Sequence, residues 1–144
     1  MYTVLRSFGA LLIFSLPLNQ IQAAPLTMLI KQNDVQLELL CESPGILSVT
    51  VSMPKVFALN KDKSCLLLKS PNGLITKLEG ESSIRKFITT SNSKWLSKLL
   101  QSDQSDIALE TISFRSGNSV EAPFRLTPVR KELTAFATSC ELLK

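Results

Sequence analysis

Along Val35–Cys41 the chain alternates apolar and polar residues, with Val35, Leu37, Leu39 and Cys41 sharing one parity. A period of two predicts a half-buried strand. Glu42-Ser-Pro-Gly45 interrupts it with turn residues, and Ile46–Ser52, rich in β-branched side chains, predicts a second strand that Pro54 closes. Before these, Ala24–Met28 reads as an extended lead-in. Asn60–Ser64 reads as a polar loop. Cys65–Lys69 and Leu74–Leu78 are apolar runs on either side of Ser70-Pro-Asn-Gly73, and an Asn-Gly pair in that setting predicts a hairpin. Glu79-Gly-Glu81 reads as a break, and Ser83–Thr89 as a further strand.

The period then lengthens. Trp95, Leu96, Leu99 and Leu100 have helical spacing, which predicts a short amphipathic helix over Lys94–Gln101. After a polar loop, Ser102–Asp106, the C-terminal third supplies the fullest unit. Ile107–Phe114 suits a strand, and Arg115–Asn118 a turn in which Gly117 can take positive φ. Ser119–Leu126 returns as a strand, with Pro123 marking an edge or bulge. Thr127 is placed to cap a helix and Pro128 to occupy its first position. Val129, Leu133, Phe136, Ala137 and Cys140 fall on one face of that helix. The expected class is α+β: one antiparallel, β-rich, sandwich-like domain with a short mid-chain helix and a C-terminal helix.

The N-terminus changes where such a domain would live. Arg6, the apolar run Phe8–Leu18 and the small residues Ala23 and Ala24 come in the order of a secretory signal peptide. The expected division is residues 1–23 as signal and 24–144 as a single exported domain. No later stretch is long and apolar enough to span a bilayer, so no integral membrane segment is expected once the signal is removed. Losing Arg6 lowers the formal charge of +4 by one. The remaining lysines and arginines are scattered, and pairs such as Arg85-Lys86 and Arg130-Lys131 read as solvated surface, not a nucleic-acid patch.

In an oxidising compartment the three cysteines, Cys41, Cys65 and Cys140, predict one disulfide and one thiol left over. Cys41–Cys140 and Cys65–Cys140 are favoured, since each closes a long loop and ties the last helix to the sheet. Candidate chemistry is sparse. There is no histidine, so the Ser-His-Asp and Cys-His nucleophile systems are absent and with them the commonest zinc ligand. The glycines are spread singly and form no phosphate-binding loop. Ser83…Lys86 and Ser91…Lys94 match the Ser-x-x-Lys spacing of penicillin-binding enzymes, but the companion motifs are missing. The near pairs Glu79/Glu81 and Glu38/Glu42 read as solvated carboxylates, and Trp95 as core. No catalytic residue, cofactor or metal site is therefore expected.

Trp95-Leu-Ser-Lys-Leu-Leu100, Phe124-Arg-Leu126, Leu133, Phe136 and the terminal Cys140 together resemble the ending of small exported bacterial proteins of the invasion-associated locus B type. The resemblance covers the C-terminal third and departs at Pro128, near where a glycine is usual. It implies a non-enzymatic periplasmic or secreted role, host- or envelope-directed, with no well-defined site. The combined expectation is a non-catalytic bacterial protein that binds another protein, through turns such as Asn72-Gly73 and Ser116-Gly117-Asn118. An inhibitor or immunity protein against a lytic enzyme or toxin is the alternative.

Overall fold

The computed structural model describes residues 26–92 and 94–143. The expected signal segment, 1–23, lies outside them. Eight strands and two helices follow in order: β1 Thr27–Gln32, β2 Val35–Ser43, β3 Ile46–Ser52, β4 Asp62–Ser70, β5 Gly73–Ser83, β6 Lys86–Asn92, α1 Lys94–Gln101, β7 Asp106–Ser113, β8 Ser119–Arg125 and α2 Arg130–Ser139. All strands join one open antiparallel sheet in the order β1-β2-β3-β6-β5-β4-β7-β8. No second sheet packs on it among the described residues, where a sandwich-like arrangement was expected.

The sheet is nevertheless two quartets. β1, β2, β3 and β6 pair along most of their length, as do β5, β4, β7 and β8, but β5 and β6 pair only through Glu81↔Ile88, Ser82↔Phe87 and Ser83↔Lys86. The period of two explains what faces inward. Leu37 and Leu39, then Leu47, Val49 and Val51, then Leu66 and Leu68, then Ile107 and Leu109, are all buried in one core. Trp95, Leu96 and Leu99 of α1 and Leu133, Phe136 and Ala137 of α2 complete it. The edge strands β1 and β8 come within side-chain reach, where Gln32 bonds the backbone of Arg125.

α1 and α2 lie at one end of the sheet, here called the helix end. The bridge there is Cys41–Cys140, with Cα atoms 5.8 Å apart, within the ordinary span of a disulfide. It ties the end of α2 to β2, and the backbone N–H of Gly45 donates to the Cys140 carbonyl at 2.9 Å. Cys65 is the free thiol, buried in β4, and burial pushes its pKa up.

Several sequence expectations need correction. Ser83–Thr89 is not one strand but is split by the Ile84-Arg85 turn between β5 and β6, and Asp62–Ser64 belongs to β4 and not to a loop. Thr27 does not extend a lead-in; it opens β1, whose hydrogen-bonding partner is β2. Glu79-Gly80-Glu81 is not a break, because β5 runs straight through it. Gly80 is there for closeness: a Cβ at that position would lie 2.3 Å from the Ile88 carbonyl oxygen and 2.8 Å from Thr89 Cβ. Thr127 does not cap α2. Ser105 O accepts the N–H groups of Leu126 and Thr127, Pro128 has no N–H, and Thr127–Val129 tightens into a 3-10 turn before α2 begins. Arg130 is not free surface either. Its guanidinium donates to the carbonyls of Leu100, Ser102 and Gln104 at 2.8, 3.0 and 2.7 Å, so α2 begins with the cation that caps the end of α1.

Candidate functional site

Among the described residues the other end of the sheet carries four connections and no helix: Asn33-Asp34, residues 53–61, Ile84-Arg85 and residues 114–118. Asp62, the first residue of β4, holds this loop end together. Its side chain has no exposed surface. Oδ2 accepts the Leu59 N–H at 2.9 Å and the Ser113 hydroxyl at 2.8 Å. Oδ1 makes no hydrogen bond and is faced by Nε of Arg115 at 3.3 Å. One carboxylate thus engages the β3–β4 connection, the end of β7 and the β7–β8 turn. The Leu59 N–H outweighs the opposing cost of desolvation, and with Ser113 and the Arg115 charge it holds the Asp62 carboxyl below the usual carboxylate range. Ser64 and Ser113 are buried beside it and both bond Asp62, forming a polar floor at this end.

Above that floor the backbone is stapled. Phe57 N and Ala58 N donate to Ile84 O at 3.0 and 3.2 Å, Ile84 N donates to Leu59 O at 3.1 Å, and Met53 N donates to Arg85 O at 2.8 Å. The β3–β4 connection therefore runs as a rib against the β5–β6 turn. Phe57 and Ala58 point in and are buried, while Val56, Leu59, Ile84 and Ile88 remain 63%, 60%, 54% and 49% exposed. Ile84 sits at φ 62°. Its turn position favours glycine, and a β-branched residue there is strained by roughly 1–3 kcal/mol. Neither burial nor local backbone preference accounts for an isoleucine at this position.

Two hollows flank Ile88. One, of about 520 Å³, has Asn60, Lys61, Gly80, Ser82 and Thr90 in its walls; the other, of about 350 Å³, has Ser52, Ile84, Arg85 and Lys86. The Ser82 hydroxyl is buried and has no hydrogen-bond partner. Ser83 of the first Ser-x-x-Lys match donates to Asn60 Oδ1 at 3.1 Å, while the side chain of Ser91 in the second lies outside the described residues.

The turns singled out from sequence do not form one site. Ser116, Gly117 and Asn118 are exposed at the loop end, with Gly117 at φ 75°. Asn72 and Gly73 are exposed at the helix end. The nine residues of β4 separate the two turns, roughly 30 Å at strand rise. Glu79 and Glu81 are exposed, as are Glu38 and Glu42. Among the described residues, no three His, Cys, Asp or Glu side chains are grouped so as to hold a metal ion. Sequence reasoning missed Asp62, taken there as part of a polar loop. The signal that reaches it is the strand period, run backward from Leu68 and Leu66 through Ser64.

No family model matches the chain, and no curated protein matches it. Among solved structures it is similar to an endonuclease/exonuclease/phosphatase from Beutenbergia cavernae DSM 12333, at 14% sequence identity and a TM-score of 0.33. That alignment covers 72% of this chain and 27% of that one. No described helix is long and apolar enough to cross a membrane.

Proposed function

We propose that this protein is a non-catalytic binding protein that engages another protein through its loop end. The supporting observation is the aliphatic cluster Val56, Leu59, Ile84 and Ile88, held outward on a backbone that is itself tied down. Single exposed aliphatic residues are ordinary; a group of them on a rigid rib is the mark of an interaction surface. The strained Ile84 adds to this, because backbone strain concentrates where function needs it. The disulfide fits a periplasmic or secreted location, which accords with the signal-like start of the sequence.

The test is site-specific photocrosslinking. A benzophenone amino acid replaces Ile84 in one variant and Leu74, exposed at the helix end, in another. A discrete adduct with one protein from the Ile84 position alone is the expected result. Equal labelling from both positions, or turnover of a substrate by the purified protein, would overturn the proposal.

A further inference from the structure

The rim of the aliphatic cluster is charged, and the charge has one dominant sign. Lys55, Lys61, Arg85 and Lys86 are all exposed around it. None of the four lies within ion-pair distance of a carboxylate among the described residues, whose ion pairs involve Lys69, Lys77, Arg115 and Arg125. The acids at this end are few. Asp62 is enclosed and already faced by Arg115. Glu81 lies cross-strand from both Lys63 and Ile88 and shares the wall of the larger hollow with Lys61, and Asp34 belongs to the separate β1–β2 turn. Among the described residues the cations around the cluster thus outnumber the carboxylates beside them, and none of the four is ion-paired.

We propose that the loop end takes an acidic segment of a partner protein that also carries aliphatic side chains. This rests on the protein-binding function proposed above and adds the partner's chemistry. Aliphatic side chains of the segment enter the hollows beside Ile88, and its carboxylates meet Lys61 on one side and Arg85 and Lys86 on the other. Complementary charge of this kind speeds encounter and rejects basic competitors. An anionic bilayer would satisfy the lysines but presents a flat face. It would meet Val56, Leu59 and Ile84 and leave the hollows unmatched.

The experiment is selection of a random displayed-peptide library on the purified, oxidised protein. Enriched peptides are then measured by fluorescence polarisation against Lys61→Glu, Lys86→Glu and Ile88→Asp, with Lys98→Glu on α1 as a control. The three loop-end positions are exposed, and circular dichroism checks that each variant is folded. The expected outcome is enrichment of peptides combining Asp or Glu with Leu, Ile, Val or Phe. Their affinity should fall about tenfold or more in each loop-end variant, stay unchanged in Lys98→Glu, and weaken with added salt. Enriched peptides that depend on Ile88 but are neutral or basic would overturn the acidic partner and leave the protein-binding function standing. Absence of any peptide that depends on the loop end would overturn both. Co-sedimentation with phosphatidylglycerol vesicles, with no peptide bound, would assign the surface to lipid and likewise overturn both.

Discussion

At the helix end, α1, α2 and the Cys41–Cys140 bridge cover the interior with apolar side chains and one covalent link. At the loop end Met53, Phe57 and Ala58 also reach the core, but they are joined by a buried carboxylate reaching to a backbone N–H, a hydroxyl and a guanidinium. The helix end uses most of its large apolar residues to close the core, with Leu26, Ile46 and Leu74 left exposed there. The loop end closes by hydrogen bonds, and its Val56, Leu59 and Ile84 are left facing solvent. The two ends thus differ in means of closure: helices and a disulfide at one, hydrogen bonds beneath exposed aliphatic side chains at the other.

Breaking the bridge should have the largest effect. Cys140→Ser frees a link across a sequence separation of 99 residues, worth about 4.7 kcal/mol in the chain-entropy model. Urea unfolding should show that loss, and a loss below about 1 kcal/mol would mean that packing alone secures the helix end. Next is Gly80→Ala, which drives a methyl group into the Ile88 carbonyl oxygen at the seam between the two quartets. A cost of about 3 kcal/mol is expected from overpacking against backbone, read as a lower midpoint in thermal unfolding. Arg130→Met keeps much of the side chain's length but removes the donors to three carbonyls. It should cost about 2 kcal/mol, with faster amide exchange concentrated in α1.

The smaller effects test the loop end. Ile84→Gly relieves the positive φ at that position and should stabilise the fold by about 1 kcal/mol, the strain relieved less the greater freedom of the unfolded glycine. The same change should weaken partner capture, a trade-off that an inert surface would not show. Finally, Asp62 has a depressed pKa in the folded state. Its contribution is present above the unfolded value of about 3.8 and is lost as pH falls through the lower folded value. Acid should therefore loosen residues 53–61 and 114–118, seen by amide exchange, and Asp62→Asn should abolish that pH dependence.

Strands with a clean period of two could be read from sequence, as could α1, because Trp95, Leu96 and Leu99 repeat at helical spacing and are buried. The C-terminal hairpin was legible through Gly117 and through Pro123, which the edge strand β8 tolerates. β1 was not. Met28, Leu29 and Ile30 are consecutive apolar residues, and the edge position leaves Leu29 exposed, so the alternation is blurred. Gly80 looked like punctuation because a one-dimensional pattern cannot show that another strand passes within contact of it. The loop end was legible least. Val56, Leu59, Ile84 and Ile88 have no shared period, and only the pairing of residues 57–59 with Ile84 brings them together. Arg130 was hidden for the same reason, since its three acceptors lie 26 to 30 residues earlier in the chain.

Gln32 has one further implication. A primary carboxamide offers the same donor and acceptor as a peptide unit, and this one presents both to Arg125, at 2.8 and 2.7 Å. It serves as a rung lent by a side chain where the main chains stop short of each other. An open sheet ordinarily leaves two borders on which a foreign strand can grow. Here the borders are occupied with one another at their nearest approach, and Pro123 withholds a donor close by. At that one rung, neither border is free for a foreign strand to pair with.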